Sequence, residues 1–301
     1  MMNRNNDLEK IKSIAERITA TYADGIGVNP IEGDNLPRRS EVIEVTEKLL
    51  ELIFPGFDRH AGTPNTVALL ADIRSELSNQ ICRSLSRKAN CGETCGCRVS
   101  QCQEAADALL ESLPELRETA KLDVAAAYAG DPAATNYEEI ILSYPGIKAI
   151  TIQRFAHVLY DHKVPFIPRM MTEYAHTLTG IDIHPGARIG KGVFIDHGTG
   201  VVIGETAVLG DQVRIYQGVT LGAANFPKDA CGMLIKGAKR HPTIGNNVTI
   251  YSGASVLGDV TIGDNSVIGG NVWLTESMPA GTKITARPPE NQLRFAGDRK
   301  K

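Results

Sequence analysis

The feature that most restricts what this 301-residue chain can fold into is a recurrence of aliphatic residues every six positions. The recurrence runs in three registers: Ile183, Ile189 and Ile195; Ile203, Leu209, Ile215 and Leu221; and Ile244, Ile250, Val256, Ile262, Ile268 and Leu274. A series of β-hairpins would show a period of two instead. A period of six predicts a parallel β-helix, a prism with about four coils in which each hexad forms one side and points its aliphatic residue inward.

The N-terminal part shows helical patterns. An apolar stripe at helical spacing consists of Leu8, Ile11, Ile14, Ala15 and Ile18. Other residues predict where helices begin and end. Ser40 would cap a helix that Pro55-Gly56 stops, Thr63-Pro64 would start another, and Pro114, Pro145-Gly146 and Pro165 would interrupt the rest. We predict an α+β chain with an α-helical domain over 1–180, a β-helix over 181–285 with a loop protruding at 223–242, and a tail over 286–301.

Charge and hydropathy argue against several kinds of partner. A formal net charge of −3 gives no electrostatic reason to expect nucleic acid or an anionic membrane. The first ten residues are too polar for a signal peptide, and no apolar run approaches the roughly 18 residues of a membrane span. We therefore expect a cytoplasmic protein.

Two irregularities interrupt the period of six, and each contains a histidine. One interval between registers is eight residues and contains His197, whereas the other is 23 residues and ends in a loop with His241. Asp182 lies 15 residues before His197, near the same edge of the prism on the adjacent coil. A carboxylate there would fix the imidazole tautomer during proton transfer. Spacing alone is equally consistent with two solvated turn residues.

Five of the six cysteines lie close together, namely Cys82, Cys91, Cys95, Cys97 and Cys102. In a reducing compartment such clustering favours a metal or redox site over structural disulfides. The spacing fits neither a zinc knuckle nor a common ferredoxin pattern. A metal site and free thiols both stay open for this cluster.

Several separated segments, in one order, resemble the serine O-acetyltransferase family over roughly residues 120–285. They are Asp131-Pro-Ala-Ala-Thr-Asn-Tyr, Asp182-Ile-His-Pro-Gly-Ala-Arg-Ile-Gly, Asp196-His-Gly-Thr-Gly-Val-Val-Ile-Gly-Glu-Thr-Ala, Val219-Thr-Leu-Gly and Arg240-His-Pro. The resemblance implies transfer of the acetyl group of acetyl-CoA to L-serine in cysteine biosynthesis. It also implies that the β-helix is left-handed, an exception to the right-handed crossover rule.

The resemblance implies roles for individual residues. His197 would be the general base, Asp182 its support and His241 a further active-site residue. The amino acid would be held by Asp131, Asp196 and Arg240, with the carboxylates facing its ammonium and the arginine its carboxylate. CoA would lie in the groove between adjacent prisms, at Gly222, Ala223, Ser252 and Gly270. No metal is implied.

The resemblance also bears on assembly. Family members trimerise through their β-helices, place the active site between neighbours and often pair trimers, so a homotrimer or a dimer of trimers is expected. Many members end in an isoleucine that docks into O-acetylserine sulfhydrylase. This chain ends in Lys301, which puts that partnership in doubt.

The sequence leaves three other functions as alternatives. A zinc-dependent carbonic anhydrase uses this prism but needs three converging histidines, and only His184, His197 and His241 lie in the prism. A structural trimer would release no CoA from acetyl-CoA. An acyltransferase for a sugar, homoserine or another amine or alcohol would act on its acceptor and not on serine.

The cysteine cluster is expected to be dispensable for catalysis, because it lies outside the β-helix and away from His197. Replacing Cys91, Cys95, Cys97 and Cys102 by serine should leave turnover largely intact in an assay of CoA release. Loss of activity in a folded oligomer, or stoichiometric zinc or iron in the purified protein, would contradict this expectation.

Overall fold

A computed structural model describes residues 4–23, 36–57, 65–86, 96–226, 228–229 and 231–287. The chain forms two compact units, residues 1–36 and 37–301. The first contains helix α1 (Arg4–Ala20) and a 3₁₀ turn (Thr21–Ala23). The predicted stripe lies on α1, where the side chains of Leu8, Ile11, Ile14 and Ile18 are exposed.

In its described residues, the second unit begins with six helices and continues as the prism. The helices are α2 (Arg39–Ile53), α3 (Thr66–Ser86), α4 (Gly96–Gly130), α5 (Tyr137–Ser143), α6 (Pro145–Asp161) and α7 (Ile167–Thr179). None of the helices in the described part of the chain is long and apolar enough to cross a lipid bilayer. The predicted boundary at 180 lies between the end of α7 at Thr179 and the start of the first strand at Asp182.

Some predicted helix signals were wrong. The N-cap of α2 is Arg38 rather than Ser40, and its side chain makes no capping hydrogen bond. Asn65 accepts from the Ala68 N–H at the start of α3, while Thr63 and Pro64 lie outside the described residues. Pro114 lies inside α4 instead of interrupting it. Burial of neighbouring Leu113 and other apolar residues of this helix outweighs the proline's cost of about 3 kcal/mol.

Among the described residues, fourteen short strands form the predicted β-helix, which is left-handed. Their bounds are β1 Asp182–Ile183, β2 Arg188–Ile189, β3 Phe194–Ile195, β4 Val202–Ile203, β5 Val208–Leu209, β6 Arg214–Ile215, β7 Thr220–Gly222, β8 Thr243–Ile244, β9 Thr249–Ile250, β10 Ser255–Leu257, β11 Thr261–Ile262, β12 Val267–Ile268, β13 Trp273–Leu274 and β14 Lys283–Ile284. They form three parallel sheets: a first (β1-β4-β7-β10-β13), a second (β2-β5-β8-β11) and a third (β3-β6-β9-β12-β14). The described prism therefore has four full coils and two strands of a fifth.

The aliphatic residues predicted from the period of six stack inside the prism. In the first sheet, Ile183 pairs with Ile203, Ile203 with Leu221, and Val256 with Leu274. All are buried and belong to one hydrophobic core. Each such side chain contributes about 1.5–3 kcal/mol when removed from water. The stacked column therefore fixes the register from coil to coil.

A buried ion pair joins the helices to the prism. Arg154 of α6 contacts Asp123 of α4 at 3.0 Å and donates to the carbonyls of Ile189 and Gly190. Asp123 accepts in turn from the backbone N–H of Val193. Burial raises the pKa of Asp123, and the Arg154 charge opposes that rise. Together these bonds hold the two helices against the first coil.

The cysteine cluster contains a disulfide, which neither open interpretation included. Cys82 of α3 is bonded to Cys102 of α4, across 20 residues of sequence. Spacing could not reveal this pair, because it depends on how two helices pack side by side. Cys91 and Cys95 lie outside the described residues, and the sixth cysteine, Cys231, is free and exposed.

Replacing Arg154 by methionine should lower the free energy of unfolding by about 3–5 kcal/mol, since it leaves the Asp123 carboxyl buried without a charge partner. Denaturant unfolding followed by circular dichroism measures the change. The control is Arg74→Met, which breaks the exposed pair with Asp107 and should cost about 0–1 kcal/mol. If both variants lost the same free energy of unfolding, the buried pair would contribute no more to stability than the exposed pair.

Candidate active site

The eight-residue interval places His197 at a corner of the prism between β3 of the third sheet and β4 of the first. We call this corner the His197 edge. His197 adopts a left-handed φ of 55°, which is uncommon for a residue with a side chain. Its side chain is 70% exposed, with Nδ1 3.8 Å from an oxygen of Asp196. The corner therefore presents an accessible imidazole.

A carboxylate from the helical region faces the same corner. Asp131 follows α4 and accepts hydrogen bonds from the Tyr144 hydroxyl at 2.5 Å and the Ala133 N–H at 2.8 Å. These bonds, and a smaller attraction to His197, lower the pKa of Asp131. The bond to Asp131 raises the pKa of Tyr144 to about 12. Asp131 and Asp196 thus give this corner two carboxylates beside an imidazole.

The predicted support for His197 lies nearby but is engaged elsewhere. Asp182 is the first residue of β1, and its N–H donates to the carbonyl of Val201 on the next coil. Its carboxylate lies 3.7 Å from Arg169 of α7. No hydrogen bond joins Asp182 to His197, both of which are described. The structure places the two residues on adjacent coils without a hydrogen bond between them.

The long loop returns at a second corner, between the first and second sheets, which we call the His241 edge. There the Glu205 carboxylate binds Arg240 at 2.5 Å and accepts from the Tyr160 hydroxyl at 2.8 Å. Burial acts to raise the pKa of Glu205, but the bonds from Arg240 and Tyr160 outweigh it and lower that pKa. Burial, followed by the bond to Glu205, raises the pKa of Tyr160 to about 12. Arg240 is therefore held in place by a neutralising partner.

His241 is the buried member of this second corner. It is 7% exposed, and its Nδ1 lies 3.1 Å from the backbone N of Thr206 and 2.9 Å from its Oγ1. Burial lowers the pKa of His241 to about 4, with a further contribution from the Arg240 charge. A neutral imidazole thus stands beside an arginine at the His241 edge.

The residues predicted to contact CoA divide between the same two corners. Gly222 ends β7 and Ala223 follows it, which places both at the start of the loop from the first sheet. Ser252 and Gly270 follow β9 and β12 of the third sheet. The Asn271 N–H donates to the Ser252 carbonyl, so Ser252 and Gly270 lie on adjacent coils. The two pairs therefore border the first sheet on opposite sides.

One group of side chains in the described part of the chain is close enough to hold a metal ion. Glu173, His176 and Asp182 offer ligand atoms within 4.8 Å of one another. Arg169 ion-pairs with both carboxylates and already supplies positive charge there. Within one chain, the three histidines of the prism do not form such a group, as a carbonic anhydrase site requires.

Comparison with known proteins identifies the family. Residues 66–152 match the model "Serine acetyltransferase, N-terminal", and residues 241–276 match "Bacterial transferase hexapeptide (six repeats)". The crystal structure of serine acetyltransferase isoform 3 from Entamoeba histolytica, in complex with cysteine, is 39% identical with a TM-score of 0.70, and the match covers 83% of each chain. The chain belongs to the serine acetyltransferase family.

Other serine acetyltransferases add detail. The plasmid-encoded serine acetyltransferase of Synechococcus elongatus is 58% identical over 182 residues, which are 60% of this chain and 57% of that protein. The chain thus matches less than two thirds of that relative's length. The Neisseria gonorrhoeae serine acetyltransferase in complex with serine is 28% identical with a TM-score of 0.55, covering 82% of this chain and 97% of that one.

Sequence reasoning missed three side chains that hold the predicted site residues of this serine acetyltransferase family member. Tyr144 binds Asp131, Glu205 binds Arg240, and Thr206 binds His241. Glu205 and Thr206 follow Gly204 at a prism corner, within a motif that had already been singled out, so their position was a usable signal. Tyr144 precedes the first-turn proline of α6 and carried no chemical signal of its own.

Replacing Tyr144 by phenylalanine should raise the pKa of Asp131 towards its ordinary value of about 3.9, because the strongest bond to the carboxylate is lost. Titration of carboxyl ¹³C signals by NMR measures the shift. Tyr137→Phe is the matched control, since Tyr137 is exposed and packs against Tyr128 rather than Asp131. An unchanged pKa in Tyr144→Phe would contradict the described bond.

Proposed function

We propose that this chain transfers the acetyl group of acetyl-CoA to the hydroxyl of L-serine, giving O-acetyl-L-serine and CoA, in cysteine biosynthesis. Membership of the serine acetyltransferase family supports the reaction class. The observation that carries the proposal is the His197 edge, where Asp131 and Asp196 lie beside an exposed imidazole. Two carboxylates suit the ammonium of an amino acid, and the imidazole suits the proton of its hydroxyl.

His197 is the general base of this mechanism. A thioester is already activated, whereas a serine hydroxyl is a poor nucleophile at neutral pH and needs a base. His197 takes the hydroxyl proton as the serine oxygen bonds to the thioester carbon. The C–S bond then breaks, and the same proton goes to the departing CoA sulfur. Transfer is direct, with no acyl-enzyme. The family resemblance assigns Asp182 to support the imidazolium, which requires its carboxylate to turn from Arg169 towards His197.

The amino acid is recognised at both ends. Asp131 and Asp196 face its ammonium, and the pKa of Asp131 is low enough to keep that carboxylate ionised at neutral pH. Arg240 faces its carboxylate as a charge-assisted donor. Glu205 holds the Arg240 guanidinium in orientation and shares it with the substrate.

The complete site needs two chains. His197 and His241 lie on different edges of one prism, on either side of the first sheet. A neighbouring prism that presents its His241 edge to the His197 edge would bring the two histidines together. The outer side of the first sheet carries exposed Val202 and Trp273, which suits burial against a neighbour. A homotrimer, or a pair of trimers, closes such a heterologous contact into a ring.

The acetyl-CoA groove lies between the same two prisms. Gly222 and Ala223 would line it from one chain, and Ser252 and Gly270 from its neighbour. Small residues at these corners leave room for the backbone to approach a ligand closely. CoA and the amino acid would then meet at His197.

His197→Ala should reduce kcat by about 100- to 10,000-fold while acetyl-CoA still binds, and Asp182→Asn should reduce it less. The assay follows CoA thiol release from acetyl-CoA with L-serine, homoserine or an amino sugar as acceptor, and mass spectrometry identifies the product. His162→Ala, an exposed histidine outside the prism, is the matched control.

Near-normal turnover in His197→Ala, or an acetylated cysteine trapped on the enzyme, would overturn the mechanism. Turnover with homoserine or a sugar but not with serine would overturn the substrate and leave an acyltransferase for another acceptor. No thiol release with any acceptor would favour a structural trimer.

A further inference from the structure

The hydrogen bonds around His241 determine where its proton lies. The Thr206 Oγ1 accepts from the backbone N–H groups of both Arg240 and His241, at 3.0 and 3.1 Å. Its own proton is therefore available for donation, and His241 Nδ1 lies 2.9 Å away. The Thr206 backbone N–H also donates to Nδ1. A ring nitrogen that receives donors carries its lone pair there, so the proton of the neutral imidazole is on Nε2.

The surroundings of His241 disfavour its charged form. The ring is buried, and the charged or titratable groups that face it are Arg240, Glu205, Lys239 and His184. Burial and the two cations outweigh Glu205 and keep the pKa of His241 near 4, so the ring is neutral at pH 7. Its position also depends on a glycine: a Cβ on Gly204 would overlap the ring.

We propose that Thr206 is a positioning residue that locks His241 as a neutral Nε2–H donor, so that His241 donates a hydrogen bond to a substrate oxygen and removes no proton. This inference rests on the proposed acetyl transfer and gives the two histidines different roles in it. The exposed His197 exchanges the proton, whereas the buried His241 only orients or stabilises an oxygen. Two histidines in one site thus have separate roles because their environments differ.

The first test reads the tautomer directly and needs no activity. The protein is labelled with ¹⁵N-histidine and examined by solid-state NMR at pH 7, and the His241 signals are assigned by their loss in His241→Asn. We expect one protonated nitrogen, Nε2, and an Nδ1 that accepts hydrogen bonds. Thr206→Ser should keep this pattern, whereas Thr206→Val loses the hydroxyl donor but keeps the backbone N–H donor, and should move the Nδ1 signal towards that of a more weakly hydrogen-bonded nitrogen. Protonation at Nδ1, or at both nitrogens, would overturn the inference.

The second test separates positioning from folding. Thr206→Val should lower kcat/KM for serine by about tenfold, the effect of one hydrogen bond, while KM for acetyl-CoA changes little. Thr206→Ser should restore most of the loss, and Gly204→Ala should reproduce it by displacing the ring. The exposed Thr261→Val is the matched control for the same side-chain change on the prism.

The outcomes distinguish this inference from the proposed function. Wild-type protein without acetyl transfer but with the Nε2–H tautomer would overturn the proposed function and leave the hydrogen-bond assignment standing. Active protein in which Thr206→Val alters neither the Nδ1 signal of His241 nor kcat/KM would overturn the role of Thr206 alone. Sedimentation and circular dichroism of every variant verify that it folds and assembles, and Thr206→Ser supplies the comparison if Thr206→Val does not.

Discussion

The stacking of aliphatic side chains inside the prism is the interaction on which the candidate site depends. Because Ile203 pairs with Leu221 and each inward residue stacks on the next, the position of every other residue around the prism is set by its count from the core column. Extra residues at a corner therefore project outward, as at His197 and in the loop that ends at His241.

The two corners carry opposite electrostatic environments. The His197 edge combines an exposed imidazole with the carboxylates of Asp131 and Asp196. The His241 edge combines burial with an arginine, which keeps its imidazole neutral. An acetyl transfer that needs one proton acceptor and one fixed donor can use both environments. In the proposed assembly, the sheet between the two edges gives each chain two half-sites that face different neighbours.

Much of the fold could be predicted from the sequence because a period of six leaves few alternatives, and the strands fall on the counted aliphatic residues. Predictions that depended on packing between helices were less accurate. Pro114 lies within a helix, and Cys82 bonds to Cys102, because contacts distant in sequence decide both. At the site, motif residues could be named in advance. Their hydrogen-bond partners, such as Tyr144, needed the three-dimensional arrangement.

The central claim, that one site is built from two chains, is tested most directly by mixing two inactive variants. His197→Ala and His241→Ala are unfolded together in equal amounts, reassembled and assayed for CoA release with L-serine. If each site joins the His197 edge of one chain to the His241 edge of another, random mixing restores about one quarter of the wild-type sites. If both histidines of a site come from the same chain, the mixture stays as inactive as either variant alone.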